Sequence, residues 1–541
     1  MSLAIVGLLF IVVISYRKTI YEYPTGGGSY YVSKENLGQT VSLVAAASLL
    51  IDYILTVAVS IASGIAAITS AFPSLSVHKE FLCLIAIFIL TLGNLRGLRE
   101  SAAIFMFPAY AFVFGVFSVL GVGLYKIITG ELIQAAPPAI AVQDPFTLFL
   151  LLRAFSSGCT AMTGVEAIAD GVPAFKPAES KNAVHTLLVM VFILAAMFLG
   201  ITFLSYYNGI IPTPNETVLS QLSRSIFDRS FFYYFIQFTT MGILIFAANT
   251  SFADFPRLAS ILARDRFLPR QFATQGDKLV FSNGIIMLGV LSALLILMFK
   301  ANTHALIPLY AVGVFLSFTL SQAGMVRHWI KEHTKGWQRN AMISFVGMVI
   351  TSVVTLILFV TKFSHGAWVI MVAIPLFVLV FLKINQHYIS TGKQLSLTGT
   401  DPAQFPQGLK HTVLLPISGL HKGVIQALSY AQSIATDVRA VYIELDPRAT
   451  ERLQEEWITW GRAVPLVVLR SPYRSIIGPL LRYVDEVEES QHDDIVTILI
   501  PEFVTAKWWQ QLLHNQTALL IRAALIFKKG MVVTSVRYHL E

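Results

Sequence analysis

The sequence predicts an α-helical polytopic membrane protein followed by a soluble α/β domain. Hydrophobic residues make up 55% of its 541 residues and charged residues only 13%, about half the charged share of an ordinary soluble domain. Apolar runs of about 20 residues, the length of a membrane-spanning helix, recur as far as residue 383. We therefore expect a transmembrane domain of about 11 helices at 1–385, a linker at 386–407, and a cytoplasmic α/β domain for regulation or dimerisation at 408–541.

The charges are unevenly distributed between these parts. From Gln386 onward the chain holds 15 Lys and Arg against 15 Asp and Glu, which leaves 24 against 16 before that residue. The formal net charge of +8 therefore belongs to the membrane part. There it reports on topology rather than on nucleic-acid binding, so we expect the lipid bilayer as a partner and no nucleic acid.

Eleven apolar segments are candidates for membrane spans, and the first and third are short. They lie near 2–16, 41–71, 81–95, 102–128, 146–171, 182–206, 232–262, 281–300, 305–326, 341–361 and 367–383. The connections after the odd-numbered spans, up to the ninth, hold fifteen Lys and Arg, whereas the intervening connections hold five. Under the positive-inside rule, this difference places the former connections and the C-terminal domain in the cytoplasm, in a multi-pass protein of the plasma (inner) membrane.

The first span has an alternative interpretation as a signal peptide. Against it, Arg17 and Lys18 follow the apolar run, whereas signal peptides carry their positive charges before it. Eleven spans with a cytoplasmic C-terminus place Met1 outside the cell. We therefore expect that a further helix preceded Met1 in an arrangement of twelve.

Asp52 is an ionisable residue deep in the second span. It lies nine residues past Leu43, about 13 Å into the membrane at a rise of 1.5 Å per residue. Thr56 and Ser60 follow on the same helical face, with Tyr53 beside it. A carboxylate with a ladder of hydroxyls suits a dehydrated cation. The alternative is that both hydroxyls merely bond their own i−4 carbonyls or a neighbouring helix.

The fifth span contains the run 156–171, which holds three glycines, two carboxylates and four hydroxyls. This composition predicts a helix broken near Gly158 to Gly164, with Thr163 and Glu166 directed into a midplane cavity. Alternatively, Glu166 is a structural carboxylate that caps the second half-helix. Asp170, nearer the cytoplasmic end, reads as an interfacial cap or gate residue.

Three further features are candidates for a role in transport or gating. Tyr310 either turns its hydroxyl toward the same cavity or anchors its helix at the membrane interface. The glycines of Tyr23–Tyr30 mark a tight cytoplasmic turn or hinge, since no phosphate-loop pattern follows them. The polar segment Asn249–Arg257 lies toward the inner end of the seventh span, where it would contribute to an inner gate.

The chain shows no signature of an enzyme. Cys83 and Cys159 lie in apolar segments and are too few for a disulfide framework. There is no spaced His/Cys metal set, nucleophile elbow or phosphate loop. We therefore expect no catalytic residues and no resident cofactor.

The C-terminal part alternates short apolar runs with helical patterns, which predicts a parallel sheet with helices on both faces. The predicted strands are His411–Ile417, Val438–Leu445, Val464–Leu469, Ile495–Ile500 and Met531–Tyr538, and the predicted helices are Gly423–Ala435 and Ser475–Glu489. Such sheets bind ligands at the carboxyl ends of their strands, where Ser418, His421 and Lys422 follow the first strand. Simple dimerisation explains the domain equally well, because no glycine fingerprint supports a nucleotide site.

Four motifs together point to one family. They are the run Tyr21-Glu22-Tyr23-Pro24-Thr25-Gly26-Gly27-Gly28-Ser29-Tyr30, the run Leu50-Ile51-Asp52-Tyr53 with Thr56, the run Thr163-Gly164-Val165-Glu166-Ala167-Ile168, and Phe255-Pro256-Arg257-Leu258-Ala259. With them the chain resembles the KimA-type potassium transporters of the amino acid–polyamine–organocation (APC) superfamily over essentially its whole length. The resemblance implies a LeuT-like fold of two inverted five-helix repeats and two further helices, here lacking its first helix. It also implies a homodimer through the cytoplasmic domain, proton-driven potassium import and inhibition by cyclic di-AMP.

The resemblance also implies which residues line the cation path. Potassium would lie at Asp52, Thr56, Ser60, Thr163 and Glu166, with Tyr53 and Tyr310 completing the lining. Either Glu166 or Asp52 would carry the coupling proton, because two carboxylates in one low-dielectric cavity titrate together at raised pH. An amino acid permease of the same superfamily and a non-transporting membrane sensor are the alternatives, although the two carboxylates would repel a substrate carboxylate.

Overall fold

A computed structural model describes the chain as two compact units, Met1–Ser396 and Leu397–Glu541. It describes every residue except 25, 27, 98–101, 133–146, 161–163, 214, 277–278, 364–365, 400, 402–410, 462, 472–474, 491–494, 507–515, 527, 529 and 541.

The first unit is built from helices. In chain order they are α1 (Ser2–Glu22), α2 (Ser29–Asn36), α3 (Gln39–Ala71), α4 (Lys79–Leu95), α5 (Ala102–Ile128), α6 (Leu148–Cys159), α7 (Val165–Asp170), α8 (Glu179–Tyr207), α9 (Val218–Phe227), α10 (Phe231–Arg264), α11 (Ser282–Met298), α12 (Thr303–Glu332), α13 (Trp337–Lys362) and α14 (Ala367–Gln394).

Within the described residues, nine helices are long and apolar enough to cross a membrane. The shorter apolar helices α6 and α11 account for the other two predicted spans, so each of the eleven predicted segments contains a helix. The prediction of a polytopic helical domain is therefore confirmed.

The helix boundaries differ from the predicted spans at several places. Helix α1 continues past Arg17 and Lys18 to Glu22, because long basic side chains can reach polar surroundings from the end of an apolar helix. Helix α14 continues to Gln394, inside the range 386–407 predicted as a linker. The short helices α2 and α9 lie in connections between the predicted spans. They are too short to be predicted from long apolar runs.

Helix α3 is the central element of the first unit. Of its most apolar 18-residue stretch, 78% is buried, against 56% for α1 and α12, the next most enclosed. It packs against α10 and α12 through small residues such as Ala46, Ala58 and Ala62, which are fully buried. Small side chains let helix backbones approach closely where lipid offers no hydrophobic drive. This packing fixes the polar residues of α3 inside the unit.

Two glycines mark close helix contacts that involve the backbone of the neighbouring helix. A Cβ built on Gly324 of α12 would lie 2.8 Å from Val32 Cγ1 and 3.0 Å from the Val32 carbonyl oxygen of α2. A Cβ on Gly284 of α11 would lie 2.8 Å from the Cα and Cβ atoms of Pro256 on α10. Neither contact leaves space for a side chain.

The second unit is a five-stranded parallel sheet with helices. Its elements are β1 (His411–Ile417), α15 (Lys422–Ile434), β2 (Asp437–Glu444), α16 (Pro447–Trp460), β3 (Leu466–Arg470), α17 (Ile477–Ser490), β4 (Ile495–Val504), α18 (Gln516–Leu525) and β5 (Met531–His539). The strand order is β3-β2-β1-β4-β5, and all four pairings are parallel.

Helices cover both faces of this sheet, as predicted. Alternate residues of β1 serve the two sides: Val413 and Leu415 pack with α15 and α16, whereas Leu414 packs with α17 and α18. The prediction of a C-terminal α/β domain is confirmed. Strand β4 continues four residues past the predicted end at Ile500, and the other predicted strands and helices agree with the structure within two residues at each end.

Helices α16 and α18 were not predicted. Helix α16 has a clear start signal, because Asp446 accepts a hydrogen bond from the Arg448 N–H (3.1 Å) and Pro447 occupies its first turn. Its residues are mainly polar, so it carries too little apolar periodicity to be found by hydropathy alone.

Replacing Gly284 with Ala should destabilise the first unit. The added methyl would meet the Pro256 backbone, and overpacking of this kind costs about 1–3 kcal/mol. Gly121→Ala on α5 is the matched control, because no atom lies within 4 Å of its Cβ position. Melting of both variants in detergent measures the effect; equal melting temperatures would contradict the tight α10–α11 contact.

Candidate functional site

The site begins at a break between two half-helices. Helix α6 ends at Cys159 and α7 begins at Val165, so the predicted interruption of the fifth span is confirmed. Gly164 immediately precedes α7 with a φ of +94°, a conformation that favours glycine. Thr163 lies outside the described residues, and its predicted place in the cation path stays a prediction.

Glu166 joins three helices. It lies in the first turn of α7 and is 7% exposed. Its Oε1 accepts a hydrogen bond from the Ser29 N–H (3.0 Å) and another from the Ser29 hydroxyl, while its Oε2 accepts one from the Ser317 hydroxyl (2.6 Å). The carboxylate therefore links α7 to the first residue of α2 and to the middle of α12.

These partners bear on both interpretations of Glu166. Its position in the first turn of α7 is favourable for a negative charge, as the capping interpretation requires. However, its hydrogen bonds go to α2 and α12, so it connects separate helices rather than closing its own. Ser29 and Ser317 were missed, because a serine in an apolar helix is common and can satisfy itself with a backbone carbonyl.

Asp52 lies on α3 in electrostatic contact with Glu166. Its Oδ1 is buried and has no hydrogen-bond partner among the described residues. The structure therefore brings together the two carboxylates that the sequence placed near the membrane midplane. An unpaired buried carboxylate oxygen is costly, which makes it a natural ligand for a cation or a proton.

The hydroxyls of Thr56 and Ser60 continue the α3 face below Asp52. Ser48, on the same helix, donates to the i−4 carbonyl of Val44 (2.9 Å). Thr56 and Ser60 make no such bond within the described part of the chain. Their hydroxyls are thus free for a ligand, which disfavours the purely structural alternative.

Tyr53 ties this face to a second acidic group. Its hydroxyl donates to Asp170 Oδ2 (3.2 Å), and Asp170 also interacts with Asp254 and Arg257 of α10. Asp254 and Arg257 form an ion pair at 3.8 Å. Asp170 and the predicted inner-gate segment of α10 therefore belong to one charged cluster, which Tyr53 links to the α3 face of the predicted cation path.

The glycine-rich turn packs directly on Asp170. A Cβ built on Gly28 would overlap Asp170 Oδ1 and lie 2.9 Å from its Cγ, and one on Gly26 would lie 2.9 Å from its carbonyl oxygen. Glycine is thus needed at position 28 because Asp170 approaches it closely. The backbone conformation does not require glycine there, since a φ of −53° suits any residue.

Tyr310 lies on α12 two turns before Ser317, half-buried against the core of the first unit. This position is compatible with both predicted roles of Tyr310, lining the cavity and anchoring its helix at the membrane interface. Tyr310 shares α12 with Ser317, which donates a hydrogen bond to Glu166.

The charges of the site favour a cation. Asp52 and Asp170 each interact electrostatically with Glu166, and Asp170 also interacts with Asp254 and with the basic residue Arg257. Within the described residues, no group of three His, Cys, Asp or Glu side chains has the arrangement of a metal centre.

The second unit contains a cavity of about 230 Å³ at the carboxyl ends of its strands. Strand β1 pairs with β2 on one side and β4 on the other, so the chain reverses its winding here, where open α/β sheets bind ligands. Ser418 and His421, two of the three predicted residues, line the cavity. Lys422 is not among its lining residues, and burial lowers the pKa of His421.

Comparison with known proteins covers both units. An amino acid permease family model matches residues 1–382, and a model described as KimA potassium transporter C-terminal domain matches residues 409–538. The chain is 45% identical over 540 residues to the potassium transporter KimA of Bacillus subtilis (strain 168), covering 99% of this chain and 88% of KimA. The chain belongs to the KimA family. Its resemblance to that family, inferred from four motifs, is thereby confirmed.

A more distant relative is the low-affinity putrescine importer PlaP of Escherichia coli (strain K12). It is 23% identical over 344 residues, which cover 61% of this chain and 73% of PlaP. Both relatives are transport proteins of the membrane. Family membership and the apolar helices make this chain a multi-pass membrane transporter of the APC type, in agreement with the prediction that it is not an enzyme.

Replacing Gly28 with Ala should displace the Asp170 carboxylate and break its bond to Tyr53. We expect a loss of about 1–3 kcal/mol in stability, measured as a lower melting temperature in detergent. Gly7→Ala is the control, because its Cβ position is open. In an Asp170→Ala background the cost of Gly28→Ala should vanish; an undiminished cost there would disprove the contact.

Proposed function

We propose that the protein imports potassium across the plasma membrane together with protons. Asp52, Thr56, Ser60, Thr163 and Glu166 provide the oxygen ligands of the potassium ion, and Tyr53 and Tyr310 line its path. The observation that carries the proposal is the electrostatic interaction between the buried Glu166 and Asp52, whose Oδ1 is buried and without a hydrogen-bond partner among the described residues, inside a KimA-family membrane domain.

The chemistry of Glu166 explains how a proton would couple to the cation. As a carboxylate it accepts hydrogen bonds from Ser29 and Ser317. A protonated carboxyl group offers a donor in place of an acceptor. The Ser317 hydroxyl can turn to accept it, but a proton on Oε1 leaves the Ser29 N–H without its acceptor. Protonation of Glu166 therefore loosens α2, whose preceding turn rests on Asp170.

An amino acid permease is the runner-up within the same superfamily. The acidic residues Asp52, Glu166 and Asp170 repel the carboxylate of an amino acid, and this repulsion favours potassium. A dication such as putrescine, named for the relative PlaP, is compatible with the same charges. Measuring the uptake of potassium and of labelled putrescine by the same vesicles shows which of the two is transported.

Replacing Glu166 with Gln should reduce potassium uptake on the order of tenfold or more, because the amide cannot ionise and mismatches its two serine partners. Growth of a potassium-uptake-deficient strain at limiting potassium measures the effect, supported by uptake into proteoliposomes. Glu179→Gln, at an exposed position in the first turn of α8, should grow like the wild type.

Three outcomes would contradict the proposal. Normal growth of Glu166→Gln removes this residue from transport. Potassium uptake by the wild type that is indifferent to a proton gradient removes the coupling. Uptake of putrescine or an amino acid without potassium replaces the cargo.

The C-terminal unit would act as a cytoplasmic regulatory domain. The excess of basic residues in the connections that are predicted to be cytoplasmic supports this side of the membrane. Its cavity of about 230 Å³ is smaller than the roughly 300 Å³ at which pockets for drug-sized ligands begin. We propose that this cavity binds one half of cyclic di-AMP. The second, identical half would then occupy the same cavity of a second copy, so that the ligand joins the two copies of a homodimer.

Cyclic di-AMP added on the side of the C-terminal unit should inhibit potassium uptake, and His421→Ala should weaken that inhibition. His539→Ala, at an exposed position in the same unit, is the control. Because the pKa of His421 is lowered, the ring is already neutral at pH 7, so inhibition should not change between neutral and mildly alkaline pH. Inhibition that is equal in both variants would exclude this cavity as the site.

A further inference from the structure

The loop between α10 and α11 contacts several helices of the first unit, and we call its residues 265–272 the connecting loop. Its Phe267 and Leu268 are buried, at 4% and 9% exposed, and pack into the core of this unit. Asn283 Nδ2, at the start of α11, donates a hydrogen bond to the Gln271 carbonyl (2.8 Å). The connecting loop is thus an anchored, structured element.

One side of the connecting loop holds α2. Asp265 is its first residue and directly follows α10. The Asp265 Oδ2 accepts a hydrogen bond from the Tyr30 hydroxyl and another from Lys34 Nζ, both at 2.6 Å. Tyr30 directly follows Ser29, whose N–H donates to Glu166. Asp265 therefore acts on the end of α2 that binds Glu166.

Another side of the connecting loop contacts α14. The Arg270 N–H donates to the Tyr388 hydroxyl (3.1 Å), and the Arg270 guanidinium lies 5.2 Å from the centre of the Tyr388 ring. Asn385 Nδ2 is 3.4 Å from the Asp265 carbonyl oxygen and 3.5 Å from that of Arg266. These two distances are long for a hydrogen bond, so Arg270–Tyr388 is the stronger contact. Asn385 and Tyr388 lie three residues apart, on one face of α14.

The part of α14 that makes these contacts lies beyond its buried part. Phe381 is the last buried residue of α14, and the helix continues to Gln394 with half-buried and exposed residues. Asn385 and Tyr388 are half-buried in this stretch. Two residues separate the end of α14 from the second unit, which begins at Leu397. The end of α14 is therefore the covalent link between the C-terminal unit and the helix that the connecting loop contacts.

We propose that the connecting loop is a relay through which the C-terminal unit controls α2. When the end of α14 is held in place, Tyr388 holds the connecting loop, and Asp265 holds α2 against Glu166. Release of potassium requires α2 to move, because its Ser29 bonds a proposed ligand of the ion. The inference rests on the proposed transport and its inhibition by cyclic di-AMP, and it names the contacts that carry this inhibition.

The contacts of the connecting loop suit a reversible relay. The side chain of Lys34 is 41% exposed and that of Asp265 is 28% exposed, and ion pairs with this exposure contribute little to stability. Arg270 is exposed, so water can replace its contacts with Tyr388. The relay can therefore be broken by substitution while the first unit stays folded.

The test compares inhibition with nucleotide binding in the full chain. Tyr388→Ala removes the ring and the hydroxyl that Arg270 contacts, and Lys34→Gln removes the charge beside Asp265. Without cyclic di-AMP, both variants should take up potassium into vesicles like the wild type. Both should still bind cyclic di-AMP, measured by calorimetry in detergent. The uptake that remains at saturating cyclic di-AMP should rise on the order of tenfold over the wild type, the usual size of an allosteric coupling.

Two further variants test whether the contacts act in series. Gln386→Ala, at an exposed position of α14 between Asn385 and Tyr388, is the matched control and should be inhibited like the wild type. The double variant Lys34→Gln with Tyr388→Ala should lose no more inhibition than the stronger single variant, because a relay fails when either contact is broken. Additive losses would show two independent effects and reject the relay.

Hydrogen–deuterium exchange of the full chain provides a readout that does not depend on transport. Cyclic di-AMP should slow exchange of the α2 backbone amides in the wild type, because a held helix opens less often. It should leave α2 exchange unchanged in Tyr388→Ala.

Each other result overturns the inference. Full inhibition of both single variants rejects the relay alone and leaves the proposed transport and its inhibition intact. Loss of uptake without the nucleotide assigns the connecting loop to transport itself, and loss of nucleotide binding places the effect in the C-terminal unit. A wild type that imports potassium but is not inhibited by cyclic di-AMP disproves the proposed regulation, and the relay falls with it.

Discussion

The buried carboxylate of Glu166 is the interaction on which the arrangement of the membrane unit depends. A charge held in a low-dielectric interior must be matched by donors, and Glu166 obtains them from two other helices. The break before α7 allows this, because it ends one helix and directs the start of the next into the interior. The position of α2 is consequently set by a group that can gain or lose a proton.

Helix α2 is well suited to respond to that group. It has eight residues, fewer than an isolated helix needs for stability, so its structure depends on contacts. These contacts include the Ser29–Glu166 bonds at its start, the Asn36–Tyr23 bond at its end, and between them the close approach of Val32 to Gly324. Tyr30 and Lys34 also bond Asp265. A change at Glu166 removes the support at the start of the helix.

The sequence predicts the acidic residues of the site well and their partners poorly. Asp52 and Glu166 stand out because an ionisable side chain inside a membrane is costly, and the clustered glycines near Glu166 reveal the break. Ser29 and Ser317 carry no such signal, because serine is tolerated in any membrane helix. Which hydroxyls meet a carboxylate depends on helix packing, which one sequence does not encode locally.

The same contrast holds in the C-terminal unit. Continuous apolar strands such as β1 and β4 are readily predicted, since both faces of the sheet are covered. Helix α16 is mostly polar and is stabilised by its Asp446 cap and by Trp457, whose indole N–H donates to the Val464 carbonyl (2.8 Å). Ser418 and His421 were found because a parallel sheet fixes where its strands end. The depth of the cavity depends on α18, which the sequence did not reveal.

The absence of a side chain at Gly324 has an evolutionary consequence. Because Val32 Cγ1 and its carbonyl oxygen occupy the space above this glycine, the two positions cannot vary independently. A larger residue at 324 is tolerable only where position 32 has become smaller and the helices have moved apart. Homologous sequences should therefore show correlated substitutions at this pair, even though neither residue touches the transported ion.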